Sequence, residues 1–164
     1  MTSVHYATAA DLALWRDIRL RALAESPDAY CSTLERELAF TEAEWVERLA
    51  PPAVLALEDD RPVAMGAGFR TGPQSLTLVA MWVDPARRRE GLSRQVLDLL
   101  VAWARERRLD IDLTVVRGNP AARSAYEQYG FVATGESEPL REGSALLMDR
   151  MVLARSTPGT TEPA

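Results

Sequence analysis

Cysteine and histidine are almost missing from this chain, which has one of each, Cys31 and His5, in 164 residues. A single cysteine excludes an intramolecular disulfide, and one of each leaves no Cys/His set for zinc, so no metal is expected. Such cysteine usage suits a reducing cytoplasm. No apolar run approaches the roughly 20 residues of a membrane-spanning helix, and the N-terminus lacks a charged-then-apolar signal segment. The expectation is therefore a soluble, unprocessed, cytoplasmic protein with no membrane partner. A general excess of positive charge is also missing, because the net charge is −5, and this argues against nucleic acid as a partner. The only Gly-x-Gly, Gly66-Ala67-Gly68, lies inside an apolar run with no helix after it. Neither a dinucleotide loop nor a Walker loop is present.

What is there suffices for one core: 47% of the residues are apolar and 26% charged, an ordinary globular mixture. A single domain over residues 1–154 is expected, with a loose, Pro/Thr-rich tail over 155–164 and no internal repeat. Val4 to Ala7 reads as a short strand. Thr8 and Asp11 open a helix to about Ala24 whose apolar positions are Leu12, Trp15, Ile18, Leu20 and Leu23. Thr41 to Glu44 has capping-box spacing and opens a second helix that Pro51-Pro52 stops. Ala53 to Glu58, Pro62 to Arg70 and Ser75 to Val83 read as an antiparallel meander separated by turn-like clusters. Gly91 to Arg107 follows as an amphipathic helix carrying Leu92, Val96, Leu99, Leu100 and Trp103. Ile111 to Val116 then completes a right-handed parallel crossover. A last helix, Ala121 to Tyr129, precedes closing strands at Phe131 to Thr134 and Ala145 to Leu153.

The most informative stretch joins the strand ending at Val83 to that amphipathic helix. Asp84-Pro85-Ala86-Arg87-Arg88-Arg89-Glu90-Gly91-Leu92-Ser93-Arg94 packs four arginines into the last eight residues of a turn that feeds a helix N-terminus. Free N–H groups, the positive end of the helix dipole and a glycine permitting close approach all favour a bound anion. Positive charge alone sits badly at a helix N-terminus, and a bound phosphate removes that conflict.

Arg88-x-x-Gly91-x-Ser93 after a strand resembles the signature by which GNAT-superfamily N-acetyltransferases bind the pyrophosphate of acetyl-CoA. Asn119-Pro-Ala-Ala-Arg-Ser-Ala-Tyr126-Glu-Gln-Tyr-Gly130-Phe131 is similar to that family's second characteristic run. Residues 20 to 30 look like a segment of bacterial members whose substrate is unassigned. The resemblance implies an α/β (α+β) fold with a central mixed, mostly antiparallel sheet of about seven strands flanked by about four helices. It implies that the strand through Met81, Trp82 and Val83 splays from its neighbour and offers backbone groups to the acetyl and pantetheine parts of acetyl-CoA. Arg88, Arg89, Glu90, Gly91, Leu92, Ser93 and Arg94 would hold the pyrophosphate, and Asn119 the pantetheine amides; Asn119 also reads as a plain helix cap, and the two roles can coexist. Arg89 stands where the family commonly has glycine, and ordinary helical or extended dihedrals suffice to accommodate it; Ser93 replaces the usual Gly or Ala.

By the same resemblance Tyr126 touches the cofactor sulfur and is the catalytic acid. A phenol with a pKa near 10 is protonated at neutral pH and can donate, whereas Tyr129 reads as a core aromatic. Thr77 occupies the strand position where some relatives carry a catalytic glutamate, and threonine is no base at neutral pH, though it could hold a water. Glu58 and Asp84 are the other carboxylates considered. His5 and Cys31 read as bystanders. The first two helices and their linker would form a wall of the acceptor cleft, with Arg19, Tyr30, Glu35, Glu37 and Trp45 as lining residues, and Thr77 is counted among the substrate-binding residues. The expected activity is acetyl transfer from acetyl-CoA to a primary amine, on a small molecule or a protein or peptide, by direct attack in a ternary complex. The alternative is an acyl-CoA-binding sensor or partner-binding module with little turnover. The resemblance allows a homodimer, although no stretch identifies a self-complementary surface.

Overall fold

A computed structural model describes residues 1–155; most of the expected tail, 156–164, lies outside them. Seven strands form one sheet: β1 (Thr2–Tyr6), β2 (Ala53–Glu58), β3 (Arg61–Gly72), β4 (Ser75–Val83), β5 (Asp110–Val116), β6 (Phe131–Pro139) and β7 (Leu147–Leu153). Their order is β1-β2-β3-β4-β5-β7-β6. Every neighbouring pair is antiparallel except β4 and β5, which are parallel. The α-helices are α1 (Leu12–Glu25), α2 (Leu34–Leu38), α3 (Glu42–Arg48), α4 (Leu92–Glu106) and α5 (Pro120–Tyr129). No described helix is long and apolar enough to cross a membrane.

Period-2 alternation along the strands divides the core into two layers. On one face Leu76 and Leu78 of β4 pack with Val96, Leu97, Leu100 and Val101 of α4. On the other, Trp82, Met65 and Leu55 pack with Trp15 and Ile18 of α1 and Trp45 of α3. The buried positions of α4, from Leu92 to Ala104, recur at helical spacing, so the crossover helix is held by its stripe rather than by its caps.

Several boundaries differ from expectation. The chain enters α1 through a single 3-10 turn, Ala9–Asp11, at which the Thr8 N–H donates to Asp11 Oδ2 at 2.9 Å. The helix starting after Thr41 is the third, because a five-residue helix precedes it; Thr33 caps α2, its Oγ1 accepting from the Arg36 N–H at 3.2 Å. That raises the helix count to five. The closing strand from Phe131 runs on to Pro139, with only Phe131 buried, and its polar composition concealed it.

Gly66 in β3 has a packing reason: a Cβ there would lie 2.5 Å from Met81 Sδ, 2.7 Å from Val96 Cγ1 and 3.0 Å from Leu100 Cδ1. The bare backbone lets α4 sit down on the sheet beside Met81. Gly66→Ala should therefore lower stability by about 1–3 kcal/mol in urea unfolding; an unchanged midpoint and slope would show that α4 yields freely. Arg89 corrects another expectation, since its φ is +69°, in the left-handed region rather than among ordinary dihedrals. For a non-glycine residue that conformation costs about 1–2 kcal/mol, which glycine offsets against greater unfolded-state entropy. Arg89→Gly should leave stability unchanged or raise it by up to about 1 kcal/mol, whereas the β-branched Arg89→Val should lower it by about 1 kcal/mol. Equal losses in both variants would contradict this.

Candidate active site

The parallel pairing of β4 with β5 covers only Ser75↔Asp110, Leu76↔Ile111 and Thr77↔Asp112. Beyond that rung the strands part. Ala80, with φ +57°, lies in the same stretch as a register shift against Met65 and Ala67 of β3. The carbonyls on the parted stretch take side-chain donors instead: Tyr30 Oη donates to Met81 O at 2.9 Å, and Arg88 Nε donates to Val83 O at 3.0 Å. Polar backbone here is satisfied by groups that a ligand could replace.

Tyr30 is held from several sides. The Arg19 guanidinium stacks 4.7 Å from its ring centre. Arg19 is itself bonded twice to Glu37, at 2.9 Å through Nε and 2.9 Å through Nη2. Glu37 is 3% exposed and is the one fully buried charged residue among those described, so the pair fixes geometry rather than offering a free charge. From the β6–β7 connection, Arg141 donates to the carbonyls of Pro27 at 2.6 Å, Tyr30 at 3.0 Å and Cys31 at 3.2 Å. Burial raises the Tyr30 pKa well above the usual phenol range, with Arg19 opposing and Tyr126 and Glu25 adding to the rise. Tyr30 is thus a neutral donor.

The arginine-rich turn is built by Asp84, whose Oδ1 accepts from the Ala86 N–H at 2.9 Å and whose other oxygen binds Arg21. Arg87 pairs with Glu58. Arg88 reaches back to Val83 O and to Glu25 Oε2, the latter at 3.1 Å. Arg89 is exposed, and the Arg94 guanidinium lies 6.0 Å from the Tyr129 ring centre. Gly91 takes φ +81° and supplies no side-chain cap to α4. The first-turn N–H groups from Leu92 and Ser93 onward therefore meet no capping side chain, an anion-ready terminus.

On the far side of the cleft Tyr126 of α5 meets Phe131 edge-on, with ring centres 5.9 Å apart. Burial pushes its pKa up to about 12, and no hydrogen bond among the described residues engages its hydroxyl. Tyr129 donates to Asp98 Oδ1 at 2.8 Å and so belongs to the α4–α5 contact. Asn119 caps α5, its Oδ1 accepting from the Ala122 N–H at 3.2 Å, which leaves its amide nitrogen as a donor. A cavity of about 410 Å³ opens between segment 25–29, segment 116–119 and Leu146.

The structure separates some residues that were grouped in the sequence. Trp45 is 2% exposed and packs on Phe40 with ring centres 5.3 Å apart, so it is core and lines no opening. Thr77 lies four residues before Met81, about 13 Å along the strand. Its Oγ1 donates to Asp112 Oδ1 at 2.5 Å, and Arg150 Nε holds the other Asp112 oxygen at 2.9 Å. The carboxylate absent at position 77 thus stands one strand over, already paired. Glu58 and Asp84 are engaged by arginines, and Glu35 is exposed on α2. His5 lies 3.7 Å from Asp11 on the edge strand. Partial desolvation and then the charge of Glu138 raise the Cys31 thiol pKa, and its sulfur lies 3.6 Å from Met148 Sδ.

Glu25, at the end of α1, was not singled out in the sequence. Its Oε2 accepts from Trp82 Nε1 at 2.9 Å as well as from Arg88, and Ser26 Oγ also donates to it. Burial pushes its pKa upward, but the bonds from Ser26, Trp82 and Arg88 together hold it below the usual value. No local motif marks such a residue, because every partner but Ser26 is more than fifty positions away.

Residues 15–131 match the model of the acetyltransferase (GNAT) family. No functionally curated protein is similar enough to match. Among solved structures, an acetyltransferase of the GNAT family from Streptococcus pneumoniae superposes with a TM-score of 0.77 at 17% identity, over 94% of this chain and 100% of that one. YncA of Salmonella typhimurium, solved with its cofactor acetyl-CoA, gives 0.72 at 20% identity, over 98% and 99% of the two chains. Ribosomal-protein-alanine N-acetyltransferase of Brucella melitensis gives 0.72 at 23% identity, over 92% and 98%. These likenesses establish a shared fold, and with the family match over residues 15–131 they show that the chain belongs to the GNAT acetyltransferase family.

Proposed function

We propose that this protein transfers the acetyl group of acetyl-CoA to a primary amine. The observation that carries the reading is the parted edge of β4, where Met81 O and Val83 O face the cleft with side-chain partners only. The residues fit the donor. N–H groups of the turn through Arg88, Arg89, Glu90 and Gly91 and of the first turn of α4 would hold its pyrophosphate, with Arg88 and Arg94 adding charge. Met81, Trp82 and Val83 would align the arm and the acetyl carbonyl, and the amide nitrogen of Asn119 would meet the arm from the β5 side. Acetyl-CoA supplies a thioester that is already activated toward amines.

Tyr126 keeps its phenolic proton at neutral pH, because burial raises its pKa, and that O–H would donate a hydrogen bond to the departing thiolate and stabilise it. The acceptor amine must attack as the neutral base. Tyr30 and Arg19 form the wall it passes. Thr77, bonded to Asp112, lies deeper along β4 and would touch only an extended acceptor. The acceptor is a small-molecule amine or the amine of a protein or peptide, and the protein acts as a single cytoplasmic domain. A second reading, an acyl-CoA-binding module with little turnover, is favoured by one observation: the carboxylates Glu58, Asp84 and Asp112 are all tied to arginines.

Acetyl-CoA at about 100 times its Kd should stabilise the wild type by about 2.7 kcal/mol in thermal unfolding, and Gly91→Trp, which adds bulk at the turn, should abolish that gain. No gain in the wild type would contradict the reading. Tyr126→Phe should keep the stabilisation while cutting thiol release with a panel of primary amines by about 100-fold or more. Undiminished release would remove Tyr126 from the acid role. Stabilisation with no thiol release across the panel would favour the binding module.

A further inference from the structure

Arg88 is committed twice, to a backbone carbonyl that the acetyl-CoA reading assigns to the donor's arm and to a carboxylate to which that reading gives no role. Its Nε occupies Val83 O at 3.0 Å and its Nη2 holds Glu25 Oε2 at 3.1 Å. Glu25 is anchored independently of Arg88, by Trp82 Nε1 at 2.9 Å. Trp82 sits between Met81 and Val83, so this bond pins the carboxylate beside the parted edge of β4. Glu25 also lines the cavity between segments 25–29 and 116–119, and its charge reaches the Tyr30 phenol that caps Met81 O. The Arg88–Glu25 pair is accessible, with side chains 46% and 36% exposed. Ion pairs of that exposure are weak and exchange readily, and a pyrophosphate carries more charge than one carboxylate.

We propose that Glu25 is a displaceable counter-ion. It holds Arg88 until the donor's pyrophosphate takes the guanidinium, and the freed carboxylate, still anchored by Trp82, then binds the acceptor as its ammonium ion, which gives up a proton to solvent before the neutral nitrogen attacks. One cation replaces another at Glu25, so the charge of the cleft is conserved and the amine site exists only once the donor is bound. The inference rests on the acetyl-CoA reading and adds to it a residue that receives the amine and the exchange of partners that frees it.

The test uses CoA itself, which carries the pyrophosphate without the acetyl group. Calorimetric titration of the wild type, Glu25→Gln, Arg88→Gln and the double variant should show Glu25→Gln binding CoA about threefold more tightly. Arg88→Gln should bind more weakly, and Glu25→Gln should have no effect in the Arg88→Gln background. If Glu25 were a mere clamp on the loop, Glu25→Gln would weaken CoA binding; if it acted by general repulsion, it would give the same gain in both backgrounds. Either result overturns the proposal. The Trp82 indole N–H resonance, assigned with Trp82→Phe, then reports on the carboxylate. n-Butylammonium chloride should move it in CoA-saturated wild type, but not without CoA and not in Glu25→Gln. No movement in the CoA-saturated wild type overturns the ammonium role. A wild type that does not bind CoA defeats the acetyl-CoA reading and this inference together. A wild type that binds CoA without the gain in Glu25→Gln defeats this inference alone.

Discussion

Parallel pairing between β4 and β5 ends at Thr77 and Asp112, and from that point the backbone of β4 must find hydrogen-bond partners that are not a strand. A buried carbonyl without a partner loses about 1–3 kcal/mol, so the parting is sustained only because other elements reach in. Tyr30 arrives from the segment after α1 and Arg88 from the turn before α4. The Arg19–Glu37 pair and Arg141 exist, in structural terms, to keep the Tyr30 segment in place. Gly66 lets α4 approach closely enough for the turn to face the opened edge. Fold and candidate site are thus one arrangement, and the cleft is a consequence of how the sheet is paired.

Charge follows a related logic. All 19 Lys or Arg residues are arginine and none is lysine, so the positive groups around the turn are planar guanidiniums, which can form forked bonds with carboxylates. Arginines at the start of α4 oppose the helix dipole, and the structure relieves this locally by pairing Arg87 with Glu58 and Arg88 with Glu25. Those carboxylates come from β2 and α1. An acidic protein thereby keeps a small basic site without a basic surface.

Elements with a strong period were legible in the sequence. β2, β4 and the crossover helix fall within about a residue of their expected bounds, because apolar alternation and a helical stripe are local signals. The two ordered motifs pointed to the right family for the same reason. α2 was missed because five residues with one buried side chain, Glu37, carry almost no period. The outer half of β6 is exposed along its length and held by pairing to β7, which composition does not record. Trp45 looked like cleft wall from its place in the chain, and three-dimensional packing put it in the core. Glu25 was silent because its role depends on Trp82 and Arg88, which only the folded sheet brings to it. Arg89 was misjudged because a turn's φ depends on the path between its flanking elements, and the residue type alone does not fix it.

The most direct measurement is amide hydrogen exchange on the wild type with and without acetyl-CoA. The account predicts slowed exchange at Met81 to Val83 and at Arg88 to Arg94, with Tyr30 and its neighbours also slowed. Protection confined to other parts of the sheet, or no change at the parted edge of β4 under saturating donor, would contradict it.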